Sequence, residues 1–311
     1  MSSCTIGEAN ISLHHVAMES ETVNETARSN LGGVLLLVAG LTFAALAGAI
    51  MKLLSDKLPI TQILWFRFAG FFVLLLPIVL FRFRAAVLMP TPAWLQVMRG
   101  CLLPLSTGFF VIGVRTMDYA EAVAVLYIYP FIIAMVGPWL LGEQTRLSSW
   151  LGIIGGFAGI LLIIRPSPEG FANPGTIWVL GTGMLVAGQL ILNRKLGRDV
   201  SPWLTSIWGA GTATILLTPI MLPAWAPMET EQLLLLLVLG ALAAISQTMF
   251  AIAFARSPAA ELAPFTYSEI VAGIAIGFAV FGSLPSLLSW VGIAIVILSG
   301  VLVARLGNTR T

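Results

Sequence analysis

The chain is built from long apolar runs separated by short polar breaks. A helix crossing the roughly 30 Å hydrocarbon core of a bilayer needs about 20 residues. Runs of that length predict helices at 31–51, 60–81, 95–114, 120–141, 147–164, 175–193, 203–223, 233–254, 260–281 and 287–304. The stretches between them, such as "KLLSDKLP", "RFRAAVLMPTP", "RPSPEGFANPG" and "NRKLGRDVSP", carry proline, glycine and charge, the residues that end helices and make turns. Barrel strands would alternate polar and apolar positions over about ten residues, and these runs do not. The expected fold class is therefore an all-α membrane protein of ten transmembrane helices, its lipid bilayer serving as solvent.

Composition agrees with the pattern. Hydrophobic residues make up 58% of the 311 and charged residues only 10%, against about 25% charged in a soluble domain. The net charge of +2 and scattered basic residues do not point to nucleic acid as a partner. Residues 1–30 are polar and lack a basic start followed by an apolar core, so they read as a cytoplasmic tail and not as a cleaved signal.

Charge also orients the spans. Arg28, Arg82, Arg84, Arg146, Arg194, Lys195, Arg198, Arg256, Arg305 and Arg310 fall on the side of the two termini and the even-numbered loops, against Lys52, Lys57, Arg115 and Arg165 on the other. Basic loops stay cytoplasmic, so both termini, with the short end 307–311, are expected in the cytoplasm.

Residues 119–153 align without a gap to 259–293 at an offset of 140. Glu121, Tyr127, Gly137, Ser149 and Trp150 meet Glu261, Tyr267, Gly277, Ser289 and Trp290. Five spans per copy would invert the second repeat, 166–306, relative to the first, 31–165. Inverted repeats are a signature of secondary transporters with a site near the midplane.

"YPFIIAMVGPWLLGEQTRLSSWLGIIGGFAGI" carries Pro130 in mid-span, "LLGE" ending at Glu143, and Gly152 and Gly159 in the next span. This region resembles the hallmark of EamA-domain proteins of the drug/metabolite transporter superfamily, and "APFTYSEIVAGIAIGFAVFGSLPSLLSWVGI" resembles its counterpart in the second EamA repeat. The resemblance covers nearly all of the chain after the tail. It implies ten helices in two inverted repeats and a central cavity open alternately to either side. Ser283 departs from it, standing where a second "GE" is usual. The family contains importers of vitamins and nucleoside-like metabolites, such as riboflavin or S-adenosylmethionine, and exporters of amino acids and drugs. The stretch "APFTYSEIV" is similar to the first two kinds. Alternating access moving a small organic solute across a bacterial inner membrane is what the resemblance implies, with export of amino acids or drugs as the alternative.

Glu269 lies about nine residues into its span, or roughly 13 Å deep. A carboxylate there costs several kcal/mol unless it is paired, protonated or hydrated, and is a functional candidate by default. It is the expected contact for a cationic group of the solute or for a coupling proton. The four-residue spacing of Glu261, Phe265 and Glu269 predicts one helical face. Tyr267, Ser268 and Tyr127 add hydroxyls. Pro264 and Pro130 each withhold a backbone hydrogen bond. Arg67, seven residues into the second span, is expected to pair with Glu269 or with an anion of the solute. Trp65, Trp178 and Trp208 offer rings. Gln189, Gln247, Ser106, Thr107, Asn193 and Ser246 are further polar candidates, which most often bond between helices.

Gly152, Gly155, Gly156 and Gly159 sit inside an apolar span and predict a close helix-packing face, not a dinucleotide loop. No GxxxxGK[ST] stretch is present, so no ATPase chemistry is expected in this chain, and no cofactor or metal is implied. A membrane-embedded enzyme acting on lipid, the remote alternative, would need a histidine or cysteine partner for its carboxylates; His14, His15 and Cys4 lie in the tail, and Cys101 stands alone in an apolar segment.

Overall fold

In a computed structural model the described residues are 31–83, 92–141, 147–167, 170–171, 173–196, 201–257 and 262–306. Glu261, Glu143 and the terminal tail lie outside them.

The apolar runs form helices because a lipid-embedded backbone must satisfy its own hydrogen bonds. In chain order these are α1 (Leu31–Ser55), α2 (Ile60–Phe83), α3 (Ala93–Val114), α4 (Tyr119–Leu126), α5 (Tyr129–Leu141), α6 (Leu147–Ile164), α7 (Thr176–Leu196), α8 (Pro202–Met221), α9 (Thr230–Arg256), α10 (Ser268–Phe281) and α11 (Leu287–Leu306). Eight segments are long and apolar enough to cross a membrane, with α4 and the start of α5 counted as one span. Trp150–Ile164 and Leu287–Val303 are shorter apolar helices. The link after α6 holds a two-residue antiparallel ribbon, Pro166 opposite Phe171 and Ser167 opposite Gly170, which the reading of the sequence did not foresee.

Two expected spans are broken. The fourth is interrupted at Tyr127 and Ile128, whose amides bond the carbonyls of Ala124 and Val125. The ninth opens as a 3₁₀ turn, Ala263–Tyr267, and becomes α-helical only at Ser268. The prolines explain both. Pro130 is the second residue of α5 and Pro264 the second of the 3₁₀ turn, positions where a missing N–H costs little. They therefore begin new segments and do not kink continuous helices. The expected helical face through Phe265 and Glu269 is corrected accordingly, because 3₁₀ winding puts three residues in a turn, not 3.6.

The bundle is held by close backbone approaches. On α6 and α11, a Cβ added at Gly159 would meet the Gly292 carbonyl at 2.8 Å, and one at Gly292 would meet the Gly159 carbonyl at 2.6 Å. Gly152 and Gly155 face Val303 and Ser299 of α11, while Gly156 receives the Phe131 ring of α5. Gly70 of α2 and Gly240 of α9 form a second such crossing. The helix-packing role expected of the glycine stretch holds.

One end of the bundle is laced across by polar contacts. Lys52 Nζ donates to the Met117 carbonyl at 2.5 Å and lies over the Phe281 ring. Arg115 donates to the Ser55 carbonyl. Gln62 makes a paired contact with the Ala226 backbone, at 3.1 and 3.0 Å. Arg165 ends α6 at φ 47°, a left-handed conformation costing about 1 kcal/mol without glycine. Its guanidinium donates to Ser286 and Ser289, and Ser289 donates to Glu121. These bonds offset the strain and tie α6, α11 and α4 together.

Candidate functional site

The two breaks face each other. Tyr127, at the first, is fully buried and has one hydroxyl proton for two acceptors at the second, the Thr266 carbonyl at 2.5 Å and Glu269 Oε2 at 2.7 Å. The latter is the length of a charge-assisted O–H···O bond. Glu269 lies in the first turn of α10, where the positive end of the helix dipole favours a carboxylate. A glutamate inside a membrane span is thus held by the break that the 3₁₀ turn creates. Glu269 remains only half-buried.

Three tyrosine rings pack around this bond. Tyr127 lies 5.3 Å from Tyr129 and 5.2 Å from Tyr267, centroid to centroid. The Tyr129 hydroxyl sits beside those of Tyr127 and Thr266. Tyr267 is seated against Gly300 of α11, where any Cβ would overlap its ring. Tyr119 donates to the Ala45 carbonyl of α1 at 2.5 Å and lies within electrostatic range of Glu269 and Arg67. Tyr127, Tyr129 and Tyr267 therefore gather beside Glu269, while the Tyr119 ring packs on Phe281 at the far end of α10. Tyr129 and Thr266 were missed by the residue-by-residue reading. Three of four tyrosines falling within residues 119–129 was the available signal.

Arg67 faces the same region from α2 and interacts electrostatically with Glu269, but the two are not in ion-pair contact. Among the described residues its Nη1 hydrogen-bonds only the Met51 sulfur, at 3.4 Å. The hydroxyl of Ser268, next to Glu269, is buried and has no hydrogen-bond partner among the described residues.

The other candidates divide. Trp65 donates its indole N–H to Thr218 of α8 at 2.9 Å and meets Phe66 edge-on, which pins its ring to the bundle. Phe265 is 44% exposed and makes no ring contact among the described residues. Gln247 on α9 is half-buried and makes no side-chain hydrogen bond among the described residues. Gln189 bonds the Leu102 carbonyl at 3.1 Å and Ser106 Oγ at 2.8 Å, tying α7 to α3. Gln189→Leu is accordingly expected to lower stability by about 0.5–1.5 kcal/mol while leaving transport intact. Thermal unfolding in detergent and a flux assay on the same preparation check this.

The model of the EamA-like transporter family matches residues 31–165 and again 173–305. The chain belongs to that family. This EamA-like protein is 25% identical over 288 residues to a riboflavin transporter of Rhizobium johnstonii, covering 90% of this chain and 93% of the relative. It is 22% identical over 263 residues to an S-adenosylmethionine uptake transporter of Rickettsia prowazekii, covering 85% and 89%. A pseudopaline exporter of Pseudomonas aeruginosa is 24% identical over 276 residues, covering 88% and 96%. A solved crystal structure shares the fold at a TM-score of 0.61 and 20% identity, covering 90% of this chain and 97% of that one. This EamA-like protein is thus a multi-pass membrane transporter.

Proposed function

We propose that the protein carries a small organic metabolite across a bacterial inner membrane by alternating access, with both termini cytoplasmic. Glu269 is the principal charged contact for the solute and takes the coupling proton. Tyr127 and Tyr267 position it, and Arg67 stands opposite. The observation that carries this reading is the Tyr127–Glu269 hydrogen bond between two broken helices. Interrupted spans meeting near mid-membrane are the usual way a transporter presents polar groups to a solute.

An arrangement of two inverted five-helix units, 31–165 and 166–306, is supported by several paired features. The breaks at Tyr127 and Tyr267 are 140 residues apart. The packing pairs α6 with α11 and α2 with α8 join segments related by the same offset. Gly152 against Ser299 repeats Gly292 against Gly159. The laced end, where Lys52, Arg115, Gln62 and Arg165 bind across helices, supports a state closed on the side of the odd-numbered loops.

The relatives' names make riboflavin and S-adenosylmethionine the first solutes to try. Reconstituted protein preloaded with either solute is expected to accumulate the labelled form by exchange, above protein-free liposomes. Flux equal to the protein-free control, for these and for a panel of amino acids and vitamins, would count against transport of this class.

A further inference from the structure

We propose that the transported solute is a dipolar organic ion, which presents a carboxylate to Arg67 and a cationic group to Glu269. The proposal rests on the reading of the tyrosine cluster as the transport site, and it narrows the solute from small metabolites in general to one charge type.

Arg67 and Glu269 are opposite charges that stay apart. Packing holds each in place. Arg67 is on α2, which is pressed against α9 where Gly70 meets Gly240 and against α8 where Trp65 bonds Thr218. Glu269 is fastened by Tyr127 to the break between α4 and α5. In a low-dielectric interior, direct pairing would be the simplest way for two such charges to satisfy each other. Instead, each is left with open valence. The Arg67 guanidinium has five donors, and among the described residues their one hydrogen-bond partner is the weakly accepting Met51 sulfur. Glu269 Oε2 accepts from Tyr127, while Oε1 accepts no hydrogen bond from a described residue. Ser268 Oγ adds a buried hydroxyl beside it that has no partner among the described residues. Both charged side chains are half-buried and not sealed.

The charge of the occupant follows. A solute with an anion alone meets Arg67 but is repelled by Glu269, and a solute with a cation alone faces the reverse. A neutral planar ring leaves both charges unmatched. Matching one charge while leaving the other opposed costs several kcal/mol, so a site of this kind selects for both charges in one molecule. The half-buried ring of Tyr129, 5.3 Å from that of Tyr127, supplies a wall for the uncharged part. Of the two solutes named for the relatives, S-adenosylmethionine has this chemistry: a carboxylate with an ammonium and a sulfonium. Riboflavin is uncharged at neutral pH. Sequence identity leans slightly toward the riboflavin transporter, so the site and the overall similarity point to different solutes.

The test is thermal unfolding of the purified full chain in detergent. The probes are S-adenosylmethionine, 5′-methylthioadenosine (the same ring and thioether without the charged arm), riboflavin and the common amino acids. At concentrations about 100-fold above its dissociation constant, a dipolar probe is expected to raise the midpoint by roughly 5 °C. Methylthioadenosine and riboflavin are expected to leave it unchanged. Arg67→Gln and Glu269→Gln should each remove the shift. Arg67→Lys, which keeps the charge but loses the planar fork, should weaken binding about tenfold and serves if the glutamine variant does not fold. Stabilisation by riboflavin or methylthioadenosine that survives Arg67→Gln overturns the proposal and leaves transport standing. So does a panel in which no dipolar probe shifts the midpoint while a neutral probe does. No shift with any probe, together with no flux in liposomes, overturns both.

Discussion

Glu269→Gln is expected to lower solute flux by about 10–100-fold, with expression and the unliganded unfolding midpoint close to wild type. The carboxylate is the group a cation or proton would bind, and a charge-assisted contact is worth about 1.5–3 kcal/mol, each 1.4 kcal/mol being tenfold in affinity. Glutamine keeps an oxygen for the Tyr127 hydroxyl, which now sits 2.7 Å from Oε2, so the two breaks stay joined. The measurement is initial uptake in proteoliposomes across a range of pH. Wild-type rates at every pH, with normal protein levels, would sink the assignment of Glu269. Tyr127→Phe separates positioning from contact. It removes the bond but not the charge, and should cost about tenfold or less while leaving the dependence on Glu269 intact.

Gly292→Leu is expected to have the largest structural effect. An added Cβ would already lie 2.6 Å from the Gly159 carbonyl and 2.7 Å from Ile163, both in α6, whose backbone cannot give way like a flexible side chain. Alanine there should cost about 1–3 kcal/mol as overpacking. Leucine should keep α6 and α11 from seating against each other, which would also unseat Tyr267 from Gly300. Yield of monodisperse protein and the unfolding midpoint read this out. Gly32→Leu is the control, since nothing lies within 4 Å of its added Cβ. Equal tolerance at Gly292 and Gly32 would mean that the α6–α11 crossing does not limit stability.

The spans were legible in the sequence because a membrane helix is specified one segment at a time. Length and apolarity suffice when each helix satisfies its own backbone. The expected run 147–164 is α6 itself, and 60–81 falls two residues short of the end of α2. The glycine spacing of α6 was also legible, since small residues in an apolar helix have few uses besides close approach. Glu269 stood out for a related reason: a charge at that depth needs a physical explanation. The breaks were only half-legible. Pro130 and Pro264 marked the places, but whether a proline kinks a helix or begins a new one depends on what the neighbouring segment offers the freed backbone.

The sequence by itself determined the class of the molecule, the number and approximate limits of its apolar segments, and the carboxylate to watch. The tertiary structure alone decided how each helix is rotated. With apolar residues on nearly every face, periodicity does not mark the inward side, and only packing against neighbours fixes it. That rotation gathers three tyrosines beside Glu269, commits Gln189 to α3, and leaves Arg67 opposite Glu269 without contact. Such relations between residues more than a hundred positions apart come from helix-to-helix contact, which no single segment of the chain encodes.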